Sequence, residues 1–158
     1  LVATYLDLYT HATDAVFKRQ LAGALAYSTD ADNIQTLIGS WKDKFVVKPQ
    51  DLSSWYLHFL GHQATQETVW VWARENWDWI KAALGGDMSF DSFVIFPSHI
   101  FKTDQRLAEY KEFFEPQLSD LALSRNIRMG IKDIAARVDL IQREKAAVEA
   151  VVAKYAKA

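Results

Sequence analysis

Cysteine is absent from the 158 residues, which excludes a disulfide framework and any thiolate metal site. That agrees with a reducing compartment. Proline and glycine are scarce, 3 and 6 residues, so few positions force a helix to stop. No apolar run approaches the ~20 residues of a membrane span, and no signal peptide pattern is visible. A charge of one sign is also missing. With 18 basic and 20 acidic residues the net charge is −2, which gives no electrostatic reason to expect nucleic acid or a membrane surface as partner. What is there is apolar: 50% of the residues are hydrophobic, ample for the core of a single domain over 1–158.

Nearly every segment between the few prolines and glycines has helical period. The chain opens LVATYLDLYTHAT, in which Val2, Tyr5, Leu6 and Tyr9 already follow the i, i+3, i+4, i+7 pattern. No methionine or N-cap precedes them, so the expectation is a fragment of a longer protein. Thr13 is placed to cap a helix over 14–27 with Phe17, Leu21, Ala24 and Leu25 inward. Asp30 is placed to cap 31–43, with Ile34, Leu37, Ile38 and Trp41 inward. Pro49 suits the first turn of a helix over 49–61, whose apolar face is Leu52, Trp55, Tyr56, Phe59 and Leu60.

A longer helix is expected over 66–84, with Val69, Ala73, Trp77, Ile80 and Leu84 as its stripe. Another follows over 90–101, where Pro97 is placed to bend or shorten it. Thr103 caps a helix over 104–115 with Leu107, Tyr110 and Phe114 inward. The last segment repeats apolar residues at alternating steps of three and four, at Leu123, Ile127, Ile131, Ile134, Val138 and Ile141. It is expected as helices over 120–141 and 144–157, continuous or nearly so. No segment alternates over strand length, and the short Phe45-Val46-Val47 has no partner. The fold class is therefore all-α. A helix start near 14 recurs near 50, a step within the ~34–47 residue periods of helical repeats. The expected architecture is HEAT-like or ARM-like: stacked antiparallel helical hairpins forming a curved superhelix.

Few residues suggest chemistry. His58 and His62 have the spacing of the zinc-binding H-E-x-x-H, but the general-base Glu is replaced by Phe59 and no third ligand is evident. The residues favour two ordinary histidines at the edge of a buried face. No phosphate loop or nucleophile elbow occurs. Glu109, Glu112 and Glu115 read as a solvated face. No catalytic residue and no metal ligand is assigned. Trp70, Trp72, Trp77 and Trp79 spread round one helix, as expected for packing against two neighbours, and less as a platform for bases or peptides. Arg125, Arg128 and Lys132 share one face of the last helix beside its isoleucine stripe. They are the candidate substrate-binding residues, suited to a carboxylate such as a peptide C-terminus. A solvated basic edge is the plainer alternative.

Three stretches carry a resemblance. KPQDLSSWYLHFLGHQATQETVWVWARENWDWIKAALGG holds Gln50-Asp51, Trp70, Trp72 and Glu75-Asn76-Trp77. FKTDQRLAEYKEFFEP holds Thr103, Leu107, Phe113 and Phe114. RNIRMGIKDIAARVDLIQREKAAVEAVVAKY closes the chain. In this order they resemble the C-terminal helical domain of the aminopeptidase N family of zinc metallopeptidases, of the kind also found in endoplasmic-reticulum aminopeptidases. The likeness covers about 14–157 and is strongest to bacterial, lactic-acid-type members, which are cytoplasmic.

The resemblance implies a division of labour. In that family the zinc and its ligands belong to a separate catalytic domain, which would be the partner of this one within the same polypeptide. This chain would then be a non-catalytic C-terminal domain of an enzyme that removes N-terminal amino acids from peptides. It would cover the active-site cavity, control peptide access, and be inactive alone. The alternative is a stand-alone helical-repeat scaffold that binds a protein partner.

Overall fold

The computed structural model describes residues 1–86 and 89–156. Its described elements are α-helices and short 3-10 turns, with no strand among them. The chain is all-α. It divides into two compact units, Leu1–Phe96 and Pro97–Ala158.

In the first unit, α1 (Val2–His11) and α2 (Ala15–Leu25) pack as consecutive helices, as do α4 (Leu52–Gly61) and α5 (Gln63–Glu75). The cap of α2 is Asp14 rather than Thr13: its carboxylate accepts the Phe17 N–H at 2.7 Å. An acidic cap also complements the positive end of the helix. The buried face is turned accordingly, onto Leu21, Ala22 and Leu25, leaving Phe17 and Ala24 exposed. Asp30 caps α3 (Ala31–Gly39) as expected, accepting from the Asn33 N–H at 2.9 Å. Ile34, Leu37, Ile38 and Trp41 are all buried.

The helix expected over 66–84 is two. α5 begins at Gln63, and α6 (Trp77–Leu84) follows a break at Asn76. The Asn76 side chain donates to the Trp72 carbonyl at 2.8 Å. The Asn76 N–H keeps its own bond to that carbonyl at 3.0 Å, and the residue leaves the helix with φ −110° and ψ 18°. The predicted stripe of Val69, Ala73, Trp77, Ile80 and Leu84 is nonetheless buried throughout. At the α4–α5 corner the buried Thr65 hydroxyl donates to the Phe59 carbonyl, and the Gln66 amide to that of Leu60 at 3.0 Å. These bonds satisfy carbonyls that the end of α4 leaves open.

Tryptophan fills this core. Trp41 meets Trp55, Phe59 and Trp72 edge-on, with ring centroids 6.3, 5.4 and 5.0 Å apart, while Trp55 stacks on Phe59 at 5.5 Å. Edge-to-face and offset pairs at such distances add to the burial of the rings themselves.

α7 (Ser92–Ile100) continues past Pro97, and the Phe101 N–H bonds to the Pro97 carbonyl at 2.8 Å. In the second unit Thr103 caps α8 (Asp104–Phe114), accepting from the Arg106 N–H at 3.2 Å. α9 is one helix, Leu121–Tyr155, capped by Asp120. The last expected helical position, 157, lies outside the described residues. Leu123, Ile127, Ile134 and Val138 of α9 are buried with Tyr110 and Phe114 of α8. Gly130 belongs to the same face. A Cβ there would overlap the Tyr110 hydroxyl and press on the Ser98 Cβ at 3.0 Å, so glycine lets the ring lie against the helix. Arg137 donates to the Ser98 and Phe101 carbonyls at 2.8 and 2.6 Å. One guanidinium thereby holds the end of α7 to α9.

Candidate functional site

His58 and His62 do not form the helical pair their spacing suggests. α4 ends at Gly61, and His62 is its extended cap with φ −99° and ψ 133°. His62 packs on Tyr27, ring centroids 3.9 Å apart, while His58 faces Gly23 of α2. Burial lowers the His58 pKa from its ordinary 6.5, and the nearby His62 and Arg19 lower it further. Both rings are therefore absorbed in packing. Among the described residues no group of three or more metal-ligating side chains converges. The residues present do not fit a zinc site.

Arg125, Arg128 and Lys132 are all exposed along the side of α9 opposite its buried face. They are brought together as a basic stripe on a convex helix surface. No carboxylate of the described residues pairs with them. Arg137, set apart from them on the helix, proves structural.

Concave polar surface occurs elsewhere, in a cleft of about 670 Å³ within the first unit. Its walls include the start of α2 with Lys18 and Arg19, the turn before α4 with Lys48 and Asp51, and Tyr9 and Trp55 at the base. The Tyr9 hydroxyl donates to Asp51 Oδ2 at 3.1 Å, and Lys18 Nζ lies 4.8 Å above the Tyr9 ring. Burial raises the Tyr9 pKa strongly, the Trp55 indole N–H offsets part of this, and the Asp51 charge adds to the rise. That N–H approaches the hydroxyl without full hydrogen-bond geometry. Tyr9 therefore stays protonated and serves as a donor. Three cations against one already bonded carboxylate make the cleft electropositive, able to receive an acidic group. Among the described residues it has no nucleophile–base pair and no opposed carboxylates.

Sequence reasoning missed this cleft because its residues come from α1, α2, α4 and the turn before α4. The adjacent Lys18-Arg19 and the Lys-Pro-Gln-Asp at 48–51 were visible signals, but only the fold places them on one wall.

The molecule is thus an all-α domain with a tryptophan-rich core, a basic cleft and no assembled catalytic group among its described residues. Residues 2–136 match the model of the ERAP1-like C-terminal domain, and the chain belongs to that family. It is 59% identical over 155 residues to Aminopeptidase N of Lactococcus lactis subsp. lactis, covering 98% of this chain. Against Aminopeptidase N of Lactobacillus helveticus the identity is 40% over 154 residues, again 98% of this chain. Aminopeptidase M1-B of Oryza sativa subsp. japonica is 24% identical over 111 residues, 69% of this chain and 12% of that protein. The chain spans 18% of the length of the Lactococcus and Lactobacillus relatives.

Proposed function

We propose that this chain is the non-catalytic C-terminal domain of a zinc-dependent aminopeptidase that removes N-terminal amino acids from peptides. One observation carries the reading. A 59% identical relative named Aminopeptidase N is matched over 98% of this chain but over only 18% of its own length. The greater part of such a protein, and with it the zinc and its ligands, would lie outside these 158 residues.

In this reading the domain covers the active-site cavity and controls which peptides enter. A packed helical domain can exclude water and large proteins from chemistry performed elsewhere. The consecutive packing of α1 with α2, α4 with α5, and α8 with α9 supports the HEAT-like or ARM-like hairpin arrangement as part of the proposal. Arg125, Arg128 and Lys132, three exposed cations on one helix face, are the proposed contact for the C-terminal carboxylate of a peptide substrate. Cytoplasmic location is proposed from the bacterial relatives.

The test is turnover of an aminoacyl chromogenic substrate in the presence of zinc. The full polypeptide is expected to turn it over and the 158-residue chain to remain at blank. Activity of the chain alone, or a reading frame with no further domain, would overturn the reading. The second outcome would favour a stand-alone scaffold. Reversing Arg125, Arg128 and Lys132 to Glu in the full polypeptide is expected to raise KM for free-carboxylate peptides and not for their amides.

A further inference from the structure

The charges around the cleft of the first unit do not balance. Lys18, Arg19 and Lys48 line it, and among the described residues Asp51 is the one carboxylate in its wall. That carboxylate already accepts the Tyr9 hydroxyl at 3.1 Å. Among the described residues none of the three cations forms a salt bridge, and Lys18 instead lies over the Tyr9 ring. Three cations against one carboxylate leave an excess of two positive charges.

Donors exceed acceptors there as well. Trp55 is fully buried, and its indole N–H has no hydrogen-bond partner. Among the described residues of the cleft wall it is the one buried side-chain polar atom in that state. Buried donors are normally paired, so the site is short of an acceptor. The hydroxyls of Ser53 and Ser54, in the first turn of α4, also line the cleft and donate to no protein group among the described residues. The first turns of α2 and α4 both border it, through Ala15 and Ser53, which brings the positive ends of two helices to one space. Asp14, the cap of α2, is not part of the lining.

We infer that this cleft binds the phosphoryl group of a small phosphomonoester. Charge and shape decide between this ligand and a carboxylate. A phosphoryl dianion neutralises the excess left by Lys18, Arg19, Lys48 and Asp51, whereas one carboxylate leaves a positive charge over. The three terminal oxygens of the phosphoryl group accept from separate directions. That suits donors spread over α2, the turn before α4 and the first turn of α4. A planar carboxylate suits a single guanidinium fork, and lysines meet phosphate as point charges. Volume favours an ester over the free ion. About 670 Å³ lies within the ~300–1,000 Å³ of small-molecule sites, and Ala22, Leu57 and Phe96 give the cleft an apolar side for an organic body. The inference does not depend on the aminopeptidase reading, because every residue it uses belongs to Leu1–Phe96.

Titration of the isotope-labelled 158-residue chain with phenyl phosphate, followed by nuclear magnetic resonance, tests the inference. At pH 7.5 the phosphoryl group is mostly dianionic, its second pKa being about 6. Saturable binding is expected, with the Trp55 indole N–H among the most displaced signals. Phenyl sulfate has the same body and tetrahedral head but one charge, and is expected to bind at least ~10-fold more weakly. Succinate, a dianion made of two planar carboxylates, is expected to fall as far behind. Inorganic phosphate should bind at least ~3-fold more weakly than phenyl phosphate, for want of the apolar contact. Arg19 and Lys48 are exposed, so Arg19→Gln and Lys48→Gln should each weaken phenyl phosphate at least ~5-fold with the Tm unchanged. Lys145→Gln, on α9, should leave binding as it was. Absence of saturation would overturn the site, as would phenyl sulfate or succinate binding as tightly as phenyl phosphate. So would an affinity that ignores Arg19 and Lys48, or one that falls equally with Lys145→Gln. Inorganic phosphate binding as tightly as phenyl phosphate would overturn the ester.

Discussion

The two halves of α9 share one helix, one cap and one apolar rhythm, yet they live in different environments. Over 121–138 the stripe of Leu123, Ile127, Ile134 and Val138 is sealed with Tyr110 and Phe114 of α8. Over 139–155 the equivalent stripe faces water. The difference lies in what each half meets, since periodicity is the same in both. Helical stability in proteins comes chiefly from tertiary packing of an amphipathic face. The first half has that support, while the second depends on its own ladder and on surface ion pairs worth a few tenths of a kcal/mol each. The first half is also pinned by two features that the second lacks, the glycine under Tyr110 and the Arg137 bridge.

The sharpest test is to delete matched side chains. Ile134→Ala is expected to cost ~2–5 kcal/mol in chemical denaturation, as buried Ile truncations do. Val148→Ala should change the same measurement by less than ~0.5 kcal/mol, the range of unremarkable surface changes. Equal costs would erase the distinction between the halves.

Arg137→Met keeps much of the aliphatic stem and removes both charge-assisted bonds. It is expected to cost about 2 kcal/mol by leaving the Ser98 and Phe101 carbonyls without this donor. Amide exchange near the end of α7 should accelerate with it. Both bonds come from the one Nη1 atom, so lysine at 137 should restore part of the loss, its ammonium also being a single multiple donor but on a stem one bond shorter.

Gly130→Ala tests the close approach of α8. The added methyl is expected to cost ~1–3 kcal/mol through forced displacement of Tyr110. In combination with Tyr110→Phe the penalty should shrink, since the hydroxyl is the first atom met. Glycine-to-alanine changes in an exposed helix normally stabilise, so the sign alone distinguishes the two situations.

The smallest effect is a pH dependence of the packed region. The His58 pKa is lowered in the fold by burial, with His62 and Arg19 assisting. The folded state therefore prefers the neutral ring. The stability this represents is present above the ordinary value near 6.5 and is lost as pH falls through the lowered folded value. Thermal unfolding followed from pH 7.5 downward should show the loss, and His58→Gln should flatten it. A tail-specific signal, such as exchange over 141–155, should not follow the His58 protonation.

Much of the fold was legible because burial in a helix leaves a periodic record. The buried faces of α3 and α4 and the stripe across α5 and α6 were readable from spacing, and Asp30 and Thr103 cap where they were expected to. The misreadings were local competitions. Asp14 took the cap from Thr13, and the helix breaks at Asn76 although its apolar pattern runs on. The helix expected over 90–101 runs through Pro97 to Ile100. The candidate site was far less legible. Arg125, Arg128 and Lys132 were grouped by their spacing along one helix, whereas Tyr9, Lys18, Lys48 and Asp51 meet only across two helices and the turn before α4. Arg137 gave no sign in sequence that it would reach carbonyls 36 and 39 positions away.

By itself the sequence determined an all-α chain, most of the residues that face inward, and membership in a family of C-terminal domains. Periodicity and capping are short-range properties, set by the geometry of one turn. Only the tertiary structure decided which inward face finds a partner, where the cleft forms, and that half of α9 is left bare. Those outcomes depend on contacts between residues far apart in the chain, and spacing within one helix carries no record of them.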